Sequence, residues 1–300
     1  MLYTTDTLIA GIKRRGSVPT SQTTFQTEDF LASADSEIQT VLLPMILKAR
    51  ESYYSFDICQ SITPTNGVYA IPTRAIGMKL QGIYLYDSSG QNRFNLSLVE
   101  EEDIVNLQYS STSNPCFFFK GNNVVLVPPN PSNFDTLVMT IFIRPSQLIS
   151  TTAAALVSSI SGNTVNVNTV PSTFSTSTTL DLIKGNPGYD CYAIDQLPTA
   201  VTSNSITFNS VPAGLQAGDW IALSGQTPVI QIPAEFQGIL EQRVTNSFLR
   251  SQGFSQALNA GIEALKEMES SFLLINPRAE REPKKIVNRS GIVRKSNWWR

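Results

Sequence analysis

The chain has 300 residues, 41% of them hydrophobic and only 15% charged, with a formal net charge of −2. That is enough apolar material for a sizeable core divided among two or three compact units, and disorder is not the default expectation. There is no histidine, which excludes Ser-His-Asp and Cys-His nucleophile systems and removes the commonest proton shuttle and metal ligand near neutral pH.

The first 58 residues read as helical. Thr4 or Thr5 caps a short helix carrying Leu8, Ile9 and Ile12, and Lys13, Arg14 and Arg15 close it where cations suit the dipole. The apolar run here is too short for a signal peptide, and its basic residues follow rather than precede it. Thr27, Glu28 and Asp29 open a second helix with Phe30, Leu31, Ala34, Ile38, Val41 and Leu42 at helical spacing. Pro44 is expected to kink or restart it, with a further segment to about Tyr54. No apolar stretch of 18 residues is read in the chain, so no membrane span is expected.

From Cys59 to about Ser150 the period changes to two. Strands are expected at Val68–Pro72, Leu80–Tyr86, Arg93–Val99 and Leu137–Ile143, with a hairpin of Phe117–Phe119 and Val124–Val127 turning at Gly121-Asn122-Asn123. Glu100–Asp103 opens a short helix, since acids favour a first turn. The three cysteines, Cys59, Cys116 and Cys191, form no CxxC pair and are read as buried free thiols.

Pro145 to Leu180 has no charged residue, yet a weak repeat argues against a linker. Ser161–Pro171 resembles Thr202–Pro212 at an offset of 41, and each copy is followed by a second strand, Leu180–Gly185 or Asp219–Gly225. Two strand–loop–strand copies imply a small β-barrel or sandwich inserted as a unit. After Pro233 the period returns to 3.6: Phe236, Ile239, Leu240, Val244 and Phe248 form one stripe, Gly253 breaks it, and Leu258, Gly261, Ile262, Leu265, Met268 and Phe272 form another.

The acids were weighed as chemistry. Glu100–Asp103 are contiguous and do not face one another, so they read as a solvated helix start. Asp181, Asp190, Asp195 and Asp219 fit turn and strand-end positions, although a pair flanking a sugar is the alternative. Gly185-Asn186-Pro187-Gly188 is a turn and not a phosphate loop. Trp220 reads as a core residue of its strand. No catalytic, cofactor or metal-binding residue is assigned.

The sharpest feature is the tail. Residues 278–300 carry eight Lys or Arg and two Glu, a balance of +6, whereas the other 277 residues carry 14 bases and 22 acids, a balance of −8. The tail also holds apolar anchors. Lys284, Lys285, Ile286, Val287, Arg289, Ile292, Val293, Arg294, Lys295, Trp298, Trp299 and Arg300 combine the Trp and Arg side chains that anchor interfaces with aliphatic pairs. They are expected to dock on an acidic protein partner rather than on nucleic acid, because the rest of the chain is acidic.

The fold class expected is α+β: a helical domain formed by N- and C-terminal helices, a β-sandwich-like middle, and an inserted small β-barrel. The domains are 1–58 with 230–276 (helical), 59–149 (β), 150–229 (insert) and 277–300 (extended basic tail).

Tyr3–Ile9, Lys13–Pro19, the acidic helix from Thr27, Tyr69–Gly77 and the Arg-rich tail after paired C-terminal helices resemble virion proteins of tailed bacteriophages. The architecture is similar to that of the portal adaptor, or head-to-tail connector, of short-tailed phages. The resemblance implies a non-enzymatic structural protein at the head–tail interface of the virion, made in the host cytoplasm. It implies a homo-oligomeric, commonly dodecameric, ring that lines the DNA passage, with the tail residues above gripping the portal protein. Tail nozzle or tail fibre proteins would be further partners, and no membrane is involved. A virion-associated glycan-binding or glycan-cleaving protein, or another neck or tail-tube component, is the alternative.

Overall fold

The structure, a computed structural model, describes residues 3–18, 24–63, 67–90, 92–104, 115–185 and 191–275. It is a mixed α+β fold of helices and several largely antiparallel sheets.

Helices α1 (Thr5–Arg15) and α2 (Thr27–Glu37) begin where acids crowd the first turn. At α2, Gln26 and Asp29 form a reciprocal capping box, the Gln26 N–H donating to Asp29 Oδ2 at 2.8 Å. The helix does not break before Pro44. Ile38–Leu42 widen into a π-helical turn, and α3 (Leu43–Ala49) carries Pro44 in its first turn, where a missing N–H is tolerated. The run Thr27–Ala49 is long and apolar enough by length and composition to cross a membrane, contrary to the reading that no such stretch exists. Its stripe of Phe30, Leu31, Ala34, Ile38, Leu42 and Ile46 is buried in the main core, as in an amphipathic core helix.

Strand β1 (Ser55–Ser61) starts inside the segment read as helical, because its backbone groups pair along the whole of β8. It is followed by β2 (Val68–Ala70), β3 (Ala75–Tyr86), β4 (Arg93–Asn95), β5 (Ser97–Leu98), the short α4 (Glu101–Ile104), β6 (Cys116–Lys120), β7 (Asn123–Val127) and β8 (Thr136–Ile143). These strands make two four-stranded sheets, β1-β8-β3-β4 and β2-β7-β6-β5. The β6–β7 hairpin turns on Gly121, whose φ of 59° suits glycine. Ile83, Leu85, Met139 and Ile141 of one sheet share a core with Tyr69, Phe117, Val124 and Leu126 of the other. All three cysteines are free, but only Cys116 is buried. Cys59 is exposed on β1 and Cys191 is half-buried, which corrects the reading of three buried thiols.

The chain leaves this region through β9 (Gln147–Leu148) and returns through β17 (Gln226–Thr227), which pair in parallel like the two sides of a neck. Between them lie β10 (Ala155–Ser161), β11 (Thr164–Val167), β12 (Leu180–Ile183), β13 (Cys191–Gln196), β14 (Pro198–Val201), β15 (Ser205–Phe208) and β16 (Trp220–Leu223). The repeat is a pseudo-two-fold. Val165 and Ile206, equivalent in the two copies, lie directly opposite each other, flanked by Thr164↔Thr207 and Asn166↔Ser205. Antiparallel β12 and β16 pair with the same reciprocity.

The expected barrel is not closed. The described strands form an open seven-stranded sheet in the order β13-β12-β16-β10-β11-β15-β14. Its edges, β13 and β14, are consecutive in the chain. Asp195 at φ 55° and register shifts on both sides interrupt the ladder there, and Pro198 has no N–H to donate. Two apolar clusters fill the region, one around Val165, Leu182, Ile206 and Ile221, and a smaller one around Trp220, Ile183 and Val229.

Helices α5 (Ala234–Ser251) and α6 (Ser255–Ile275) follow, separated at Gly253 with φ 75°. α1, α2 and α6 all pack on α5. Before α1, Tyr3 and Thr4 run antiparallel to residues 228–230, with the Ile230 N–H donating to the Tyr3 carbonyl at 3.1 Å. The two ends of the described chain are thus laced into one core through Leu8, Ile12, Phe236, Leu240 and Val244.

Candidate functional site

The docking residues Lys284, Lys285, Ile286, Val287, Arg289, Ile292, Val293, Arg294, Lys295, Trp298, Trp299 and Arg300 lie outside the described residues. The helical unit from which they extend is described. α5 is its hub, and two of its charges, Arg243 and Glu241, are used internally. Arg243 donates to Glu37 of α2 at 2.7 Å and to Glu269 of α6 at 3.0 Å, tying three helices. Glu241, 8% exposed, accepts from the Tyr3 hydroxyl at 3.1 Å and Arg15 Nε at 2.7 Å. Burial, and then the Glu241 charge, push the Tyr3 hydroxyl well above the ordinary tyrosine range.

Of the acids weighed as sugar-flanking carboxylates, Asp181 and Asp219 serve the fold. Asp219 is buried and accepts the Gly185 and Gln216 N–H groups, each at 2.8 Å. Loss of any activity on Asp219→Ala would therefore report lost folding. Asp181 is fully buried and accepts Arg74 Nη1 at 2.8 Å and the N–H groups of Asp195 and Gly225 at 2.9 and 3.0 Å. Burial pushes its carboxyl up, while Arg74 and the two N–H donors pull it back. Asp195 accepts from the Ser224 hydroxyl, Glu101 makes an exposed pair with Lys120, and Asp190 lies outside the described residues. Trp220 is buried at 9% exposure within its strand.

Arg74 had no signal of this role in the sequence, since its partner is 107 residues away. It also donates to the Ser146 hydroxyl at 2.9 Å, whose N–H donates to Gln231 Oε1; the Gln231 carbonyl accepts from the Tyr54 hydroxyl. The β3 approach, the neck and the segment before α5 are joined in one polar network. Beside it, both Asp35 oxygens of α2 accept the Leu148 N–H, at 3.0 and 3.1 Å.

Burial pushes the Asp35 carboxyl up to about 6, and the Leu148 bond opposes that only in part. A folded pKa above the unfolded one makes its contribution greatest below about pH 4 and lost as pH rises through 6. We expect wild type to lose about 1–2 kcal/mol relative to Asp35→Asn between pH 4 and 7, after allowance for solvent at this half-exposed group. Urea denaturation of both proteins across that range measures it, and parallel curves would contradict the assignment.

A polar concavity of about 550 Å³ opens on the sheet β1-β8-β3-β4, lined by Asp57, Gln81, Tyr84, Arg93, Asn95 and Thr140. The Tyr84 ring lies back over Gly82, where a Cβ would meet its hydroxyl, and the Arg93 guanidinium stacks on it at 3.5 Å. Its hydroxyl meets Thr140 at 2.7 Å, and Thr140 donates to Asp57. These side chains satisfy one another. Among the described residues no group of three or more Cys, Asp or Glu gathers as a metal site.

No protein-family model and no curated protein matches this chain.

Proposed function

We propose that this chain is a structural, non-enzymatic virion protein: a ring-forming adaptor that joins the portal protein to the tail machinery of a bacteriophage and lines the DNA passage. The observation that carries the reading is the tail of residues 278–300, a +6 segment with two tryptophans attached to an acidic chain. Lys284, Lys285, Arg289, Arg294, Lys295 and Arg300 supply charge for the portal, and Ile286, Val287, Ile292, Val293, Trp298 and Trp299 supply anchors. The lacing of α1, α2, α5 and α6 into one core supports a helical unit suited to stacking around a ring, commonly of twelve copies. The two four-stranded sheets are read as its sandwich-like middle and the segment between β9 and β17 as a separate insert, available to tail nozzle or fibre proteins. The acidic balance of the remainder lets passing DNA slide by repulsion, without sequence-specific contact. The place of action is the head–tail interface of the virion, after synthesis in the host cytoplasm, and no membrane takes part.

Light scattering behind size exclusion, with and without a portal ring, tests the reading. The expected result is a defined ring on the portal. Deleting 278–300 abolishes docking and leaves the fold intact, and Trp298→Ala with Trp299→Ala weakens it by roughly 30-fold, about 2 kcal/mol for an interface anchor. A chain that remains monomeric even on portal would rule the reading out. The glycan alternative is less well supported, because Asp181 and Asp219 are committed to internal hydrogen bonds.

A further inference from the structure

Where α6 ends, the helical hairpin leaves a groove of about 510 Å³ between its last turns and the first turns of α5. Gly238 and Ile239 of α5 and Ala264 and Met268 of α6 form an apolar floor. Glu235 and Glu267, both exposed, stand on its rim. Among the described residues neither carboxylate is in an ion pair, although Glu241 and Glu269 on the same helices are. An apolar floor with free acids at its rim fits a segment of the opposite pattern: aliphatic side chains flanked by bases.

We infer that the groove receives Lys284-Lys285-Ile286-Val287 of the same chain, parking the tail on its own helical hairpin until the docking partner is met. The inference rests on the reading of the tail as a docking strap. Length allows the return. From Ile275 back to the level of Met268 is seven residues of helix, about 10 Å at 1.5 Å per residue. Residues 276–284, extended, span up to about 30 Å. Ile286 and Val287 cover the floor, and Lys284 and Lys285 meet Glu235 and Glu267. The tether raises the local concentration of the segment to the millimolar range, so a contact too weak to hold two molecules together is populated within one. A partner then captures the tail only if it binds those residues more tightly than the groove does. Copies made before the portal is available would thus keep their aliphatic anchors covered.

The test uses the full chain alone, with the photocrosslinker p-benzoylphenylalanine in place of the exposed Ser271 on the groove wall. Irradiation at micromolar concentration is expected to link position 271 to peptides from 284–300 within the monomer band. Glu235→Lys with Glu267→Lys should reduce that link about tenfold, and 0.5 M salt should also weaken it, since both act on exposed ion pairs. No link to the tail, a link found only between molecules, or a link indifferent to the charge reversal overturns the inference. Portal docking is measured separately. A chain that crosslinks to its own tail yet never binds portal would refute the adaptor reading and leave this contact standing.

Discussion

Replacing Arg74, whose side chain is 14% exposed, by Ala is expected to lower stability by about 3 kcal/mol. The reason is the partner. Asp181 has no exposed surface and keeps two backbone donors, the N–H groups of Asp195 and Gly225, but Arg74 is its close counter-charge. Removing the guanidinium strands a charge in a site that burial already penalises. The carboxyl must then ionise with only its two backbone donors and no close counter-charge, or take up a proton. Stability of the Arg74→Ala protein should accordingly fall as pH rises, the direction expected when a folded carboxyl lies above its unfolded value. Arg74→Ala with Asp181→Asn should recover part of the loss, because the amide carries no charge and its one oxygen still accepts one of the two backbone donors, which in the native protein bind separate oxygens. Arg74→Lys should fall between, since an ammonium cannot reach Asp181 Oδ2 and the Ser146 hydroxyl in the same fork. Urea denaturation at pH 5 and 8 measures all four proteins. A loss below about 1 kcal/mol for Arg74→Ala would show that the pair is no more than a surface contact.

The second large effect is a coupling between Gly11 and Glu241. The Tyr3 hydroxyl and Arg15 Nε hold the Glu241 carboxylate from the two ends of α1, and it lies where a Cβ on Gly11 would stand. Gly11→Ala should therefore cost about 2–3 kcal/mol, as overpacking that also displaces two hydrogen bonds. Glu241→Ala alone should cost about 2 kcal/mol, leaving the buried Tyr3 hydroxyl without this acceptor. In the Glu241→Ala background the overlap is gone, and Gly11→Ala should be neutral or stabilising by up to about 1 kcal/mol through helix propensity. The double-mutant cycle thus changes the sign of one substitution. Simple additivity of the two losses would refute the packing argument.

Much of the local structure was legible because it is written in neighbouring residues. The 3.6-residue stripe Phe236, Ile239, Leu240 and Val244 became the buried face of α5, and Gly121 with Asn122 became the turn of the β6–β7 hairpin. Other boundaries moved where longer-range pairing prevailed. Ser55–Ser61 is a strand because β8 lies beside it, whereas the helix restarts at Pro44 as read, after a π-helical turn. Asp219 sits at the turn and strand end read for it, accepting the N–H of Gln216 three residues before it, but its other donor, Gly185, and the Arg74 partner of Asp181 come from distant segments.

The sequence by itself determined the helical ends, the alternating strands, the repeated insert and the +6 tail, all set by period, local turn chemistry or a count of charges. Only the tertiary structure decided that the repeats face each other across Val165 and Ile206 in an open sheet, and that Arg74 neutralises Asp181. It alone placed an acid-rimmed groove beside the point where the tail departs. Each of these depends on residues far apart in sequence meeting in space, and one-dimensional spacing carries no record of such meetings.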